Sequence, residues 1–256
     1  MNYMRHNISI VIVTVCRSSL IRAVKSVFDQ TFKGKIQVLV GVDVDLYGLE
    51  SNMKQYLESI CPDHCTLTWL NIGYSTSQRH GGVHTCLFGG SLRTVLSFLA
   101  DSTFVMYLDD DDWLAPIHCQ SMLTTIGENH WAFSYCIYAD GNTSQGICID
   151  MIESVGVGKG IYRKMYGGFV RPSGLLFNKF KLLPILSLWS ESPYKSGDGE
   201  DRLIFEAIKN LSHACSKQAT VFYSLDSNDA NHELRAKFMQ QQGVSHAFTA
   251  KFESVR

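Results

Sequence analysis

The sequence predicts an α/β fold, a three-layer αβα sandwich built around a mainly parallel sheet. Near-continuous runs of β-branched and apolar residues, such as those at 8–15 and 36–40, are typical of strands that are buried on both faces. Each of these runs is followed by a segment with apolar residues at helical spacing. Strands that alternate with helices at this spacing form βαβ units, in which helices cover both faces of a parallel sheet.

The first half of the chain supplies these elements in a regular order. Ser18 and Ser19 can cap the first predicted helix, whose apolar residues begin at Leu20 and end at Phe28. A polar, glycine-rich stretch over 73–90 predicts a loop that is mobile or ordered by a ligand. The predicted order is strand 8–15, helix 20–28, strand 36–40, helix 49–60, strand 66–70, helix 92–99 and strand 104–108.

The second half is less regular, and we expect it to complete the same unit. Apolar runs predict strands over 131–139 and 220–225, and a clear amphipathic pattern predicts a helix directly after 198–201. The polar tail after Asn231 is either helical or loosely ordered. Because neither a repeat nor a linker interrupts the chain, we predict one domain over 1–256, with halves at 1–112 and 113–256.

The strand predicted at 104–108 ends directly at four acidic residues, Asp109, Asp110, Asp111 and Asp112. In an extended chain successive side chains alternate, so Asp109 and Asp111 would point one way and the other two the opposite way. Two carboxylates at the carboxyl end of a strand suit a divalent cation that in turn holds phosphate oxygens. A solvated acidic turn, or an acidic cap on the helix that follows, explains the run equally well at this point.

Polar residues also lie at the ends of the first two predicted strands. Thr14 ends the first strand, and Asp43 follows the second. The ligand crevice of an open α/β sheet lies outside the carboxyl ends of its strands. Topology alone therefore places Thr14, Asp43 and the acidic run in one site.

Composition argues against some partners. Twenty-three basic and 24 acidic residues give a formal net charge of -1, which offers no general attraction to nucleic acid. No apolar run reaches the roughly 18 residues that a transmembrane helix needs. The segment 182–189 is the best candidate for contact with a membrane surface, although packing inside the fold is the favoured interpretation.

The eight cysteines are scattered along the chain, which does not favour a disulfide framework. Cys61, His64 and Cys65 have the spacing of half a zinc site, but no matching second half follows. We therefore expect a reduced, cytoplasmic protein, and a peripheral contact at the inner face of a membrane stays open.

Taken in order, these features resemble the inverting family 2 glycosyltransferases of the GT-A (nucleotide-diphospho-sugar transferase) fold. The segment Ser26-Val-Phe-Asp-Gln-Thr31 is similar to the family's S-x-x-x-Q-T segment. The segment Leu108-Asp-Asp-Asp-Asp-Trp-Leu-Ala-Pro116 is similar to its L-D-x-D-D-x-x-x-P pattern. Arg93 precedes the acidic run, and Glu200-Asp201 begin a late helix, as the corresponding family residues do.

The resemblance implies a metal-dependent inverting glycosyltransferase. It would move a sugar from a nucleotide-diphosphate donor, a UDP-sugar, to a hydroxyl of a glycan or glycoconjugate acceptor, as in polysaccharide biosynthesis. Residues 1–112 would bind the donor and residues 113–256 the acceptor. The implied roles are Asp201 as catalytic base with Glu200 second, Thr14, Val15, Asp43, Arg93, Asp109 and Asp110 at the nucleotide, Asp111 and Asp109 at Mn²⁺ or Mg²⁺, and Trp113 and Gly174 at the acceptor.

Several residues depart from the family pattern. The first strand ends Thr14-Val-Cys16 where the family has Pro-Thr, and Arg93 lacks the usual flanking Asn and Gly. One alternative is therefore a catalytically degenerate protein that binds a nucleotide-sugar without turnover. A sugar-nucleotide nucleotidyltransferase is the other alternative, although Cys16-Arg-Ser-Ser19 is a poor substitute for a glycine-rich phosphate loop. Whether His232 reaches the metal is also open.

Overall fold

The computed structural model describes residues 4–244. Most of its strands form one sheet of nine strands, and two short strands pair separately as a ribbon. The strands are β1 (Ile8–Thr14), β2 (Ile36–Val42), β3 (Cys65–Asn71), β4 (Phe104–Tyr107), β5 (Trp113–Leu114), β6 (Trp131–Asp140), β7 (Gln145–Ile149), β8 (Gly156–Val157), β9 (Gly168–Phe169), β10 (Leu175–Asn178) and β11 (His213–Leu225).

Helices connect these strands. They are α1 (Ser19–Phe28), α2 (Glu50–Ser59), α3 (Gly90–Leu99), α4 (His118–Ile126), α5 (Arg163–Tyr166), α6 (Glu200–Ile208) and α7 (His232–Gln241). Three 3-10 helices add to them, at Gln78–His80, Pro172–Gly174 and Leu183–Ser190.

The large sheet has the order β3-β2-β1-β4-β10-β6-β11-β5, and β7 pairs with β6. Strands β3, β2, β1 and β4 are all parallel, as the βαβ pattern predicts. All seven residues of β1 are buried, which explains its nearly uninterrupted β-branched sequence. Strand β10 then enters antiparallel between β4 and β6, so the sheet continues without a break from the first half of the chain into the second.

Two apolar cores lie on opposite faces of the sheet and give the three layers predicted. On one face α1 contributes Leu20, Val24 and Val27. On the other face α3, the 3-10 helix Leu183–Ser190 and α6 pack together. The αβα sandwich is thereby confirmed.

The segment 182–189 belongs to that second core. Leu182, Leu186 and Trp189 are fully buried there, and the ring of Trp189 lies 4.6 Å from that of Tyr107. Packing inside the fold is therefore the correct interpretation of this apolar run. Within residues 4–244 no helix combines the length and the apolar character needed to cross a bilayer.

Two boundaries differ from the sequence prediction. Strand β11 begins at His213 rather than near 220, because an irregular stretch between Cys215 and Val221 interrupts the pairing without ending it. Helix α6 begins at Glu200 rather than after residue 201, and its cap is Gly199 in a left-handed conformation (φ 87°). Both features depend on backbone geometry that periodicity does not encode.

Candidate active site

The four acidic residues after β4 form a tight turn rather than an extended segment. The backbone N–H of Asp112 donates to the carbonyl oxygen of Asp109 at 3.1 Å, which closes the turn. Exposure alternates along the turn, but the contacts do not follow the predicted sides, since Asp110 and Asp111 both face Arg17 whereas Asp109 faces Arg93. Asp110 and Asp112 are buried, whereas Asp109 and Asp111 keep 33% and 19% of their side chains exposed.

The two buried carboxylates hold the turn in place. Asp110 accepts hydrogen bonds from Thr14 Oγ1 at 2.7 Å and from Arg17 Nη1 at 3.2 Å. Burial nevertheless raises the pKa of Asp110 to about 6. Asp112 accepts from Ser173 Oγ at 2.7 Å and from the backbone N–H of Ser224 at 3.0 Å. These bonds tie the turn to β1, to the 3-10 helix Pro172–Gly174 and to β11.

The two partly exposed carboxylates each face an arginine. Asp111 Oδ2 lies 3.5 Å from Arg17 Nη1, and Asp109 Oδ1 accepts a hydrogen bond from Arg93 Nη2 at 2.8 Å. Their oxygens are the hard ligands that Mg²⁺ and Mn²⁺ prefer. Within residues 4–244 no group of three or more His, Cys, Asp or Glu side chains is arranged to hold a metal ion. A divalent ion bound by Asp109 and Asp111 would have to take its remaining ligands from a bound phosphate and water.

Arg93 connects the acidic turn to the start of α6. It is buried on α3, with Nη2 on Asp109, Nη1 3.8 Å from Glu200 Oε1 and its guanidinium 4.9 Å from the centre of the Trp189 ring. Burial alone would lower the pKa of Arg93, but Asp109 and Glu200 outweigh that cost and raise it. Arg93 is thus a permanent cation between two carboxylates.

Glu200 and Asp201 occupy the first turn of α6 in different surroundings. Glu200 is 4% exposed, and burial raises its pKa to about 7 against the opposing effect of Arg93. Asp201 is more accessible, and its Oδ1 accepts the backbone N–H of Arg202 at 2.8 Å. Burial also raises the pKa of Asp201, and the charge of Asp109 raises both values. Two carboxyls with raised pKa are suited to take up a proton.

Asp43 lies at the same edge but is already hydrogen-bonded. Its carboxylate accepts from Ser75 Oγ at 2.9 Å, from Thr76 N at 3.1 Å and from Thr76 Oγ1 at 3.3 Å. The predicted loop over 73–90 is thereby fastened over the end of β2. Any contact between Asp43 and a nucleotide would have to be made alongside these bonds or in exchange for them.

Thr14 and Val15 have backbone partners of their own. The carbonyl of Thr14 accepts from Asp43 N at 2.9 Å, and that of Val15 accepts from Leu46 N at 3.4 Å. Cys16 follows in a left-handed conformation (φ 61°), which turns the chain sharply toward α1. Their nucleotide contacts stay predictions.

The two residues predicted at the acceptor are buried. Trp113 is 8% exposed; its ring stacks on Phe222 at 5.2 Å and carries the guanidinium of Arg22 4.0 Å from its centre. Gly174 is packed so closely that a Cβ there would lie 3.1 Å from the carbonyl oxygen of Ser134. Both positions suit the interior of the fold, and their acceptor roles stay predictions.

Sequence reasoning missed Arg17 and Ser173. Arg17 contacts Asp110 and Asp111, and Ser173 contacts Asp112 and the backbone N–H of Asp109 at 3.1 Å. Ser173 directly precedes Gly174, which was predicted to lie at the acceptor, so the sequence drew attention to this segment but not to Ser173 itself. Nothing in the local sequence around Arg17 indicates that it reaches a turn 93 residues away.

No family model and no curated protein matches this sequence. Solved structures do. Residues 1–349 of S. aureus TarS in complex with UDP-GlcNAc match with a TM-score of 0.63 and 14% identity, over 96% of this chain and 68% of that one. A second structure of S. aureus TarS 1–349 matches with a TM-score of 0.57 and 16% identity, over 85% of this chain and 60% of that one.

A structure from another organism also matches the fold of this chain. The mannosyltransferase PcManGT from Pyrobaculum calidifontis, in complex with GDP-Man and Mn²⁺, matches with a TM-score of 0.57 and 11% identity, over 93% of this chain and 62% of that one. This chain has the GT-A-like fold. It spans about 60% of the length of the first TarS chain. At these identities the likeness establishes the fold, and the activity has to be argued from the site.

In the GT-A-like fold of this chain, Asp109, Arg93 and Glu200 form a continuous polar connection across the carboxyl edge of the sheet. The acidic turn, α3 and α6 each supply one member. His232, whose role was left open, is the first residue of α7. The edge therefore combines hard oxygen ligands with a buried cation and two carboxyls of raised pKa.

Proposed function

We propose that this chain is a metal-dependent inverting glycosyltransferase that uses a nucleotide-diphosphate sugar, a UDP-sugar, and transfers its sugar to a hydroxyl of a glycan or glycoconjugate. The observation that carries the proposal is the connection from Asp109 through Arg93 to Glu200. It joins the acidic turn, whose carboxylates suit a metal ion bound to a diphosphate, to the start of α6, whose carboxylates suit a general base. The proposal is supported by the ligands of two proteins that share the fold, UDP-GlcNAc in the TarS complex and GDP-Man with Mn²⁺ in the PcManGT complex.

Asp201 is the proposed general base. Inversion requires the acceptor hydroxyl to attack the anomeric carbon from the side opposite the diphosphate, while a base takes its proton. The bond between that carbon and the diphosphate oxygen breaks, and its electron pair stays on the diphosphate. Asp201 is more accessible than Glu200, and its raised pKa strengthens it as a base.

Glu200 and Arg93 are proposed positioning residues. Glu200 is nearly inaccessible and faces Arg93, so it orients the guanidinium that holds Asp109. A divalent ion held by Asp109 and Asp111 would neutralise the charge that develops on the leaving diphosphate. Asp110 and Asp112 keep the turn in the shape that presents these two carboxylates.

The donor class is tested by calorimetric titration of UDP, GDP and dTDP with and without Mn²⁺. We expect UDP to bind in a Mn²⁺-dependent manner, and Asp111→Ala to weaken that binding by more than tenfold. Asp63→Ala, at an exposed acid far along the chain, serves as the control. If no nucleotide binds to the folded protein, the transferase proposal is wrong.

A specific observation favours a second candidate, a protein that binds a nucleotide-sugar without turning it over. Arg17 lies beside Asp111, and the carboxylate of Asp43 already has three donors, so ligands compete with internal bonds at two positions. Release of UDP from UDP-GlcNAc distinguishes the two. Turnover that disappears in Asp201→Asn supports the enzyme, whereas Mn²⁺-independent binding without turnover supports the alternative.

A further inference from the structure

A polar cavity of about 320 Å³ lies behind the acidic turn, between the amino end of α1 and the connection from β6 to β7. It is referred to below as the hairpin cavity. Its size is at the lower end of the range of about 300–1,000 Å³ that ligand pockets occupy. It is lined by Ser18, Ser19, Arg22, Asp111, Gly141, Asn142, Ser144 and Ser224.

Three lining residues have a buried polar atom with no hydrogen-bond partner. These atoms are Ser19 Oγ, Arg22 Nε and Ser224 Oγ. Ser224 is only 1% exposed, so water in the bulk does not satisfy its hydroxyl. Buried polar atoms are nearly always paired in folded proteins, and an unpaired set that converges on one cavity points to a missing ligand.

All three atoms can donate a hydrogen bond, and the guanidinium can only donate. A ligand that offers acceptor oxygens would therefore satisfy all three atoms at once. The amino end of α1 adds to this preference, because Ser18 makes no side-chain cap bond and the first turn contains no acidic residue.

The charge of Arg22 favours an anion over a neutral sugar. Its guanidinium donates to the carbonyl oxygen of Gly141, to Ser144 Oγ at 2.9 Å and to the carbonyl oxygen of Asp111 at 3.1 Å. None of these acceptors carries a charge. Burial lowers the pKa of Arg22, which means that its surroundings leave the cation incompletely compensated.

The charges of Asp111, Asp112 and Asp140 offset part of the burial of Arg22, but each of these carboxylates also has other partners. Asp111 faces Arg17, and the carboxylate of Asp140 accepts the backbone N–H groups of Asn142 and Thr143 at 2.8 and 3.2 Å. The carboxylate of Asp112 is held by Ser173 and Ser224 N. The three unpartnered donors are the groups with which a ligand in the cavity would pair.

We propose that the hairpin cavity binds a phosphate group, held by Arg22, Ser19, Ser224 and the amino end of α1. Arg22, Ser19 and Ser224 have no part in the proposed donor site, which uses Arg93 and Asp109. Asp111, a proposed metal ligand, also lines the cavity, so the two sites are neighbours. The phosphate is either a free ion or part of the acceptor. Only its assignment to the acceptor rests on the proposed function.

The test is a calorimetric titration of the intact chain with inorganic phosphate, in a buffer whose ionic strength is held constant with chloride. We expect saturable binding. Ser224→Ala should weaken it by about tenfold, the loss expected for one hydrogen bond to a charged group. Arg22→Met should weaken it more than Ser224→Ala, and thermal melting checks that each variant is folded.

Ser134→Ala is the matched control, because Ser134 is also fully buried with an unpartnered hydroxyl but does not line the cavity. It should leave phosphate binding unchanged. The proposal is overturned if phosphate does not saturate, if Ser134→Ala and Ser224→Ala weaken binding equally, or if UDP with Mn²⁺ displaces the phosphate. The last result would assign the cavity to the donor.

Glucose 6-phosphate and glucose distinguish the two sources. Binding of the phosphomonoester that depends on Ser224, with no binding of the free sugar, identifies a group carried by the acceptor. Binding of inorganic phosphate alone identifies an ion site. Nucleotide binding measured on the same variants shows separately whether the proposed function holds, so the two proposals can fail independently.

Discussion

Two buried glutamates of this chain, Glu153 and Glu200, have opposite electrostatic surroundings. Glu153 accepts hydrogen bonds from Arg235 Nε at 2.6 Å, Tyr138 OH at 2.7 Å and Asn231 Nδ2 at 2.9 Å, and it lies 2.8 Å from Arg171 Nη2. This set of residues is referred to below as the Glu153 cluster. Burial alone would raise the pKa of Glu153, but Arg171 and Arg235 outweigh it and bring the pKa down to about 2.

Glu200 has a single arginine at 3.8 Å, which it shares with Asp109. Burial therefore dominates, and its pKa rises to about 7. The number of donors around the carboxylate, rather than burial, decides the difference. A well-compensated carboxylate fastens α7 to the fold, whereas an under-compensated one at the proposed active site can change its charge near neutral pH.

Removing an arginine from the Glu153 cluster should have the largest effect on stability. Arg235→Met leaves a buried carboxylate without its closest cation, which costs about 3–5 kcal/mol of unfolding free energy. Urea unfolding at pH 7 measures the loss. Lys237→Met, at an exposed position on the same helix, is the control. A loss below about 1 kcal/mol would show that Arg171 alone compensates Glu153.

The second-largest expected effect is the loss of stability in acid that comes from protonation of Glu153. Because the folded pKa lies below the usual value of 4.5, this group stabilises the fold fully above about pH 4.5 and loses its contribution as the pH falls toward 2. The loss amounts to at most about 3 kcal/mol for one group. Unfolding free energies of wild type and Glu153→Gln between pH 2 and 6 should converge at low pH. Parallel curves would contradict the compensation inferred here.

Glu200 should show the opposite sign. Its folded pKa lies above the usual value, so the fold loses stability as the pH rises from about 4.5 to 7. Glu200→Gln removes this cost, and we expect the variant to be about 1–3 kcal/mol more stable than wild type at pH 8. Glu206→Gln, an exposed acid on the same helix, should give no such gain. A destabilised Glu200→Gln would mean that Arg93 compensates the charge well.

Local patterns were enough to predict much of the fold. The β-branched run at 8–15 predicted β1, because a strand buried on both faces is apolar at nearly every position. The apolar spacing after 198–201 predicted α6, because a helix buried on one face is apolar only at helical intervals. The acidic run itself was recognised from the sequence, but it closes into a turn, so the alternation of an extended strand did not predict which arginine each carboxylate faces.

Long-range compensation could not be predicted in this way. Glu153 has partners 82 residues away in Arg235 and 18 residues away in Arg171, and nothing in their local sequences pairs them. The same holds for Arg17 at the acidic turn. The pKa of a buried carboxyl depends on such partners, so the contrast between Glu153 and Glu200 appears only when the chain is folded.

The smallest expected effect is on the pH dependence of transfer. As the pH rises through about 7, Glu200 becomes ionised, and its negative charge raises the proton affinity of Asp201. The proposed base then takes a proton more readily, so kcat at saturating donor and Mn²⁺ should rise by up to about tenfold across this range. Glu200→Gln should lose this rise and keep a plateau, because the amide does not titrate. If Glu200→Gln instead retains the full rise near pH 7, then another group titrates there, and Asp201 itself is the first candidate. Glu200 would then only position Arg93.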